Sequence, residues 1–236
     1  MEKLIVSSSP HFNGKKTTQN IMLDVLVALC PAAVASVVIF GPRALLVIAV
    51  CMASCLASEY LCRRVMKRPQ TVGDLSCLVT GLLLALNLPV TINPLMAAFG
   101  GVVAIVVVKQ MFGGIGQNFV NPALTARIVL MNSFPAPMTH WTAAFDYGAT
   151  ADAVTTATPL SGMMYTYSPN SAPDYFQLLL GTHGGCLGET CALAIILGGV
   201  YLIVRKVISP VIPLTYLGTV VVFSIVLGRD PLFDLL

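Results

Sequence analysis

The sequence predicts an all-α, polytopic bundle of transmembrane helices, several of them short or broken. Of its 236 residues, 56% are apolar and only 10% are charged, and the mean hydropathy is +0.85. A soluble domain carries about 25% charged residues, so the surplus apolar surface is expected to face lipid. The apolar residues also fall into separate runs divided by glycine, proline and short polar stretches. This division is typical of several helices that cross a bilayer in turn.

Each apolar run is interpreted as one membrane segment. We expect seven of them, at Ile21–Phe40, Ala44–Leu61, Leu75–Leu88, Pro94–Val108, Phe119–Phe134, Cys186–Val204 and Val211–Leu227. The first run is long enough to span a bilayer and is read as a retained helix, not as a cleaved signal peptide. The third and fifth are shorter and are bounded by Pro89 and by Gly113 and Gly114. Such interrupted helices are tolerated in a membrane where they are buried in protein or line a cavity.

The basic residues predict the orientation of the chain, since cytoplasmic loops are rich in Lys and Arg. With the N-terminus in the cytoplasm, the inner side receives Lys3, Lys15, Lys16, Arg63, Arg64, Lys67, Arg68, Lys109, Arg205 and Lys206. These are ten of the thirteen Lys and Arg residues. The long connector Pro135–Asp174 contains neither residue type and is expected on the outer face.

We expect one transmembrane domain over residues 1–236. Residues 1–134 form its first helical half, residues 135–174 an extracytoplasmic loop, and residues 175–236 the start of a second half. A connector of this length is uncommon in a compact domain and suggests a function.

The charges and cysteines argue against two classes of function. A net charge of +3, scattered in short clusters, does not indicate nucleic-acid binding. The seven cysteines lie in or beside apolar runs, and no histidine completes a ligand set around Cys51 and Cys55. We therefore expect packing roles for the cysteines and no metal site.

A Ser/Thr-rich tract in the long connector, from Asp152 to Leu160, is the first functional candidate. By itself such a tract is usually solvated chain. It resembles the flavinylation motif, in which Ser or Thr, any residue, Ala and Thr follow an upstream Asp. In proteins that carry this motif, FMN is joined through its phosphate to the hydroxyl of the last Thr. The matching positions are Asp152, Thr155, Ala157 and Thr158.

A glycine-rich stretch from Phe112 to Ala123 is the second candidate. No strand precedes it and no Lys-Ser/Thr pair follows, so neither the dinucleotide fingerprint nor the P-loop applies. Asn118 and Asn121, three residues apart, are expected to present their amides on one side of a helix start. Buried amides need partners, and the sequence alone leaves open whether these are neighbouring helix ends or a ligand.

An acidic residue in the stretch from Gly181 to Ala192 is the third candidate. Glu189 is expected at the outer end of the sixth segment, where an ionisable group is a candidate for an ion path, with capping or pairing as the alternative. Asp24 and Glu59 are expected near cytoplasmic helix ends, where water solvates them easily. No residue is assigned a catalytic role.

Taken together, these motifs resemble the NqrB/RnfD family, which contains the D subunits of Rnf complexes and the B subunits of the Na+-translocating NADH:quinone oxidoreductases. The likeness runs from Ser9 through the paired glycines, the Thr158 tract and the stretch around Glu189 to Gly228 and beyond. It implies a fold of two related, inverted helical halves. Members of the family are longer than this chain, so a C-terminally incomplete second half is expected.

The resemblance also implies cofactors and partners. FMN would be attached to Thr158 by a flavin transferase, and riboflavin would bind non-covalently among the helices with Asn118 and Asn121. Electrons would pass between reduced ferredoxin and NAD+, coupled to translocation of Na+ or H+. The expected setting is the bacterial inner membrane, with the A, B, C, E and G subunits of the Rnf complex as partners.

Two alternatives come from other functional classes. A cofactor-free secondary transporter or channel would also have broken helices and buried Asn and Glu residues. A purely structural subunit would anchor its partners without carrying electrons. A covalent flavin distinguishes the flavin-carrying subunit from the transporter or channel. Loss of electron transfer in a Thr158→Ala variant distinguishes it from the structural subunit.

Overall fold

A computed structural model describes residues 17–145, 147 and 175–235, and every regular element within these ranges is helical. In chain order the α-helices are α1 (Thr18–Phe40), α2 (Pro42–Val65), α3 (Ser76–Leu86), α4 (Pro94–Val102), α5 (Pro122–Ser133), α6 (Pro135–Met138), α7 (Tyr175–Leu180), α8 (Ala192–Val204), α9 (Val211–Val226) and α10 (Pro231–Leu235). A 3₁₀ turn covers Val72–Asp74, and α4 continues as a π-helix over Val103–Gln110. The predicted all-α bundle is confirmed.

Helices α1 and α2 are the long elements, with 23 and 24 residues. Within the described ranges, they are the two helices that are long and apolar enough to cross a membrane. The hydroxyl of Thr17 accepts the N–H of Asn20 and so caps α1. Gly41 has φ +76° and reverses the chain, and Pro42 opens α2. Helix α2 extends beyond the predicted Ala44–Leu61 at both ends.

Helices α3 and α4 pack against α2, and α8 packs against α1. Helix α3 has 11 residues and stops before Pro89, as the sequence predicts for a broken element. Asn93 caps α4, whose π-helical continuation carries Lys109 and Gln110 in its last turn. Helix α2 lies along both α3 and α4, and the buried residues of this contact form the main apolar core.

Two predicted segments begin later than expected. The fifth was predicted from Phe119, but α5 begins at Pro122 because the side chain of Asn121 caps it. The sixth was predicted from Cys186, but α8 begins at Ala192. Residues 186–191 form turns instead, because their backbone bonds to another segment, described below.

Large apolar side chains are exposed along the outer helices. Examples are Val34 on α1, Leu197 on α8 and Phe223 on α9. Water does not tolerate continuous apolar surface of this extent. The exposed faces therefore suit lipid or other apolar helices and fit a membrane bundle.

A close contact between α1 and α8 predicts a strong effect of one methyl group. A Cβ on Gly198 would lie 2.2 Å from the carbonyl oxygen of Ala28, whereas a Cβ on the next residue, Gly199, would meet nothing within 4 Å. Gly198→Ala is therefore expected to destabilise the protein by about 1–3 kcal/mol through overpacking, measured by thermal unfolding in detergent. Gly199→Ala is the matched control and is expected to be neutral or slightly stabilising. Equal melting temperatures for the two variants would contradict this contact.

Candidate functional site

A fully buried ion pair joins α2 to the π-helix. The Nζ of Lys109 lies 2.5 Å from Oε2 of Glu59, and the two residues are 2% and 0% exposed. Lys109 also donates to Oγ of Ser76 at 2.6 Å, and the hydroxyl of Thr71 donates to Oε1 of Glu59 at 2.6 Å. Hydrogen bonds of this kind are what allow two charges to leave water. The cluster therefore connects α2, the chain before α3, α3 itself and the π-helix.

The glycine-rich stretch lies directly after this pair. Gly113, Gly114 and Gly116 have φ angles of +116°, +110° and +81°. The amide of Gly114 donates to the carbonyl of Lys109 at 3.0 Å, so the loop folds back over the end of the π-helix. A Cβ on Gly114 would lie 2.7 Å from a terminal nitrogen of Arg63. Glycine is needed here both for its backbone angle and to make room for this guanidinium.

Unpartnered buried amides flank the same loop. Gln110 is 0% exposed, and neither its Oε1 nor its Nε2 has a hydrogen-bond partner among the described residues. The Oδ1 of Asn118 is also buried and has no partner in this part of the chain. Desolvated amides without partners cost about 1–3 kcal/mol each. These atoms are therefore open donors and acceptors for a ligand.

The two asparagines do not act as a pair. Asn121 is the N-cap of α5, and its Oδ1 accepts the amides of Ala123 at 3.0 Å and Leu124 at 3.4 Å. Asn118 precedes the helix in irregular chain. The prediction that both would sit on one side of a helix start is wrong, because α5 begins at Pro122, four residues after Asn118. Asn121 instead bonds to a helix end, which is the alternative to a ligand that the sequence left open.

A second polar cluster lies where α3 ends. Arg127 of α5 donates to Oδ1 of Asn87 at 2.9 Å and contacts Sγ of Cys186 at 3.4 Å. The amides of Leu187 and Gly188 donate to the carbonyls of Leu88 and Leu86 at 3.1 and 2.7 Å. These bonds join two segments, one from each predicted half, and pair backbone amides of the second with backbone carbonyls of the first.

A cavity of about 360 Å³ opens beside this junction, between α1, α3 and α8. Its lining is mostly apolar and includes Asn87, Glu189 and the wall formed by Gly198. The carboxylate of Glu189 folds over Gly185, where a Cβ would lie 2.9 Å from its Oε1. Glu189 is exposed. It lies in the turns before α8, not within the sixth helix as predicted.

A third charged contact ties α1 to α8. Arg205 donates through two nitrogens to Oδ1 of Asp24 at 3.1 and 3.2 Å, and the hydroxyl of Tyr201 donates to the same oxygen at 3.1 Å. Asp24 is buried, while Arg205 is largely exposed. The expectation that Asp24 and Glu59 are solvated is therefore wrong. Each is desolvated by packing and compensated by a cation from a distant part of the chain.

The structure describes some of the predicted site residues and not others. Asp152, Thr155, Ala157 and Thr158 lie outside the described residues. Asn118 and Asn121 lie on the glycine-rich stretch, and Glu189 lies on the separate segment beside the cavity.

Sequence reasoning missed Glu59, Lys109, Gln110 and Arg63 as members of the site. Polar side chains at the ends of apolar runs are costly unless paired, but the sequence does not identify their partners, so this signal was incomplete. Within the described ranges, no group of three or more His, Cys, Asp or Glu residues has the arrangement of a metal site.

Comparison with known proteins gives matches along nearly the whole chain. The model of the NQR2, RnfD, RnfE family matches residues 5–236. The D subunit of the Na(+)-translocating ferredoxin:NAD(+) oxidoreductase complex of Acetobacterium woodii is 44% identical over 231 residues, which cover 97% of this chain and 71% of the relative.

Two further relatives match to a similar extent. The D subunit of the proton-translocating ferredoxin:NAD(+) oxidoreductase complex of Clostridium ljungdahlii is 39% identical, over 98% of this chain and 73% of the relative. The D subunit of the ion-translocating oxidoreductase complex of Halorhodospira halophila is 34% identical, over 93% and 69%.

Proposed function

Because the chain belongs to the NQR2, RnfD, RnfE family, we propose that it is a membrane subunit of an ion-translocating ferredoxin:NAD+ oxidoreductase complex. The observation that carries this proposal is the 44% identity to such a subunit over 97% of the chain. In this role the chain helps electrons pass between reduced ferredoxin and NAD+. The electron flow is coupled to translocation of Na+ or H+, the ions for which the complexes of two relatives are named. The A, B, C, E and G subunits of the Rnf complex are the proposed partners.

The proposed electron carrier on the outer face is FMN bound covalently to Thr158. Two contacts of the described chain support this placement of the connector. The amide of Phe145 donates to the carbonyl of Ile39 at 2.9 Å, and the hydroxyl of Tyr147 donates to that of Val38 at 2.6 Å. Both carbonyls belong to the last turn of α1. With the N-terminus in the cytoplasm, the connector therefore starts at the outer end of α1, where a flavin transferase outside the cell membrane reaches it.

A second, non-covalent flavin, riboflavin, is proposed near the glycine-rich stretch. Within the described ranges, the buried amide of Gln110 and the Oδ1 of Asn118 lack partners, and an isoalloxazine ring offers carbonyl oxygens and an imide N–H that complement them. The residues thus fit the group. Asn121 uses its Oδ1 as a helix cap, so only its Nδ2 remains for a ligand. A bound flavin supplies the redox chemistry, while the protein positions it and sets its electrostatic surroundings.

Glu189 is the proposed ion-path residue. It is an exposed carboxylate that lines the cavity of about 360 Å³ between α1, α3 and α8. A carboxylate beside a membrane segment favours a cation or proton as its partner.

The test is the mass and flavin content of the chain purified from cells with and without an active flavin transferase. The transferase is proposed to move FMN from FAD to the threonine oxygen, with AMP as the leaving group. We therefore expect the mass to rise by one FMN less one water only when the transferase is active, and riboflavin to be released by acid precipitation in both cases. A colourless chain of unmodified mass from cells with the transferase would favour the cofactor-free transporter. A chain that carries covalent FMN but releases no riboflavin would support the proposed FMN on Thr158 and contradict the proposed non-covalent riboflavin.

A further inference from the structure

Arg63, near the end of α2, is a buried cation without a counter-charge in the part of the chain that the structure describes. The residue is 7% exposed, and its Nε is buried with no hydrogen-bond partner among those residues. A guanidinium presents five N–H donors in a fixed plane, so leaving it unpaired in a buried position is costly.

The carboxylates of the described chain do not neutralise it. Glu59, one helical turn away, is taken by Lys109, and Asp24 is taken by Arg205. Among residues 17–145, 147 and 175–235, no acidic side chain lies within ion-pair distance of Arg63. The charge must be compensated from outside this part of the chain.

The surroundings of Arg63 are shaped to keep its guanidinium in place. Its terminal nitrogen lies against the backbone of Gly114, in the space that a Cβ would fill. Three further cations follow it at the end of α2, namely Arg64, Lys67 and Arg68, and all three are exposed. One fixed guanidinium with an exposed cationic rim is an arrangement that binds an anion with several oxygens.

We propose that Arg63, with this rim, is a binding site for a phosphate group. Guanidinium and phosphate match in geometry and form paired hydrogen bonds. The source that the structure favours is the headgroup of an anionic phospholipid, because exposed apolar side chains stand on both sides of the site. Val65 lies between Arg64 and Lys67 of the rim, Met111 and Phe112 precede Gly114, and all three are exposed. Basic pockets at the ends of membrane helices bind such headgroups.

The site is tested on the delipidated, purified complex in detergent. Native mass spectrometry measures binding of phosphatidylglycerol against phosphatidylcholine, and thermal unfolding is followed with inorganic phosphate against chloride at equal ionic strength. Arg63→Gln is expected to weaken the first phosphatidylglycerol about tenfold or more, which is the loss of a charge-assisted hydrogen bond. Arg229→Gln removes the same charge from an exposed position after the end of α9, outside the proposed site, and is expected to change binding less than about twofold.

Each outcome decides the proposal. If inorganic phosphate stabilises the wild type and not Arg63→Gln, the phosphate site stands with a soluble ligand as its source. If Arg63→Gln binds phosphatidylglycerol as the wild type does, the site is refuted. If that variant instead loses a neighbouring protein of the complex and keeps its lipid, the guanidinium pairs with a protein carboxylate and the proposal is also refuted. Should Arg63→Gln not fold, Arg63→Lys decides, because it keeps the charge, loses the paired geometry and is expected to bind several-fold more weakly than the wild type.

Discussion

A Thr158→Ala chain is expected to carry no flavin that survives denaturation. The proposed bond joins the FMN phosphate to the threonine hydroxyl, and alanine offers no oxygen to replace it. The effect is therefore complete loss and not partial weakening. Fluorescence of the chain in a denaturing gel, together with its intact mass, measures the result. Electron transfer between ferredoxin and NAD+ by the whole complex is expected to fall with it.

The neighbouring Thr156→Ala variant is the matched control. It removes an equal hydroxyl two residues earlier, at the position where the motif accepts any residue, and is expected to keep the flavin. Flavin retained in Thr158→Ala, or lost equally in both variants, would show that Thr158 is not the attachment point. Electron transfer that persists without the flavin would favour the purely structural role.

A Glu59→Gln variant is expected to lose about 3–5 kcal/mol of stability, because it leaves the ammonium of Lys109 buried without its carboxylate. The change hardly alters the volume of the side chain, so packing is preserved and the charge effect is isolated. Thermal unfolding of the purified protein in detergent measures the loss. Each kcal/mol corresponds to a fall of about 2–4 °C in Tm for a chain of this size.

The controls for this ion pair form a double-mutant cycle. Lys109→Met alone leaves Glu59 unpaired and is expected to be similarly harmful. The double variant removes both charges and is expected to recover most of the stability, since a buried ion pair is often no better than apolar packing. Losses that simply add in the double variant would show that the two residues act independently.

The long helices could be predicted from the sequence, and the broken ones only in part. Continuous apolar runs fix α1 and α2, and Gly41 followed by Pro42 marks the turn between them. The start of α5 was also readable, because Asn121 followed by Pro122 is a helix-capping signal, although the apolar Phe119 suggested an earlier start. The start of α8 could not be predicted from the sequence, because the amides of Leu187 and Gly188 bond to carbonyls about a hundred residues earlier in the chain.

The same distinction applies to the candidate site. Asn118 could be selected because it is polar next to glycines, and its buried Oδ1 has no partner among the described residues. Glu59 could not be recognised as buried, because its partner Lys109 lies 50 residues away and its solvation depends on how α2 meets the π-helix. Pairings at such distances are set by tertiary packing, which no local pattern encodes.

The bonds that join Leu86 and Leu88 to Leu187 and Gly188 have a mechanical consequence. In hydrocarbon, a separated carbonyl or amide finds no water to replace its lost partner. If one irregular segment shifts alone, the backbone amides or carbonyls of the other therefore lose their partners. A movement that opens the nearby cavity by displacing only one of these segments would break both bonds, so we expect the two segments to move together.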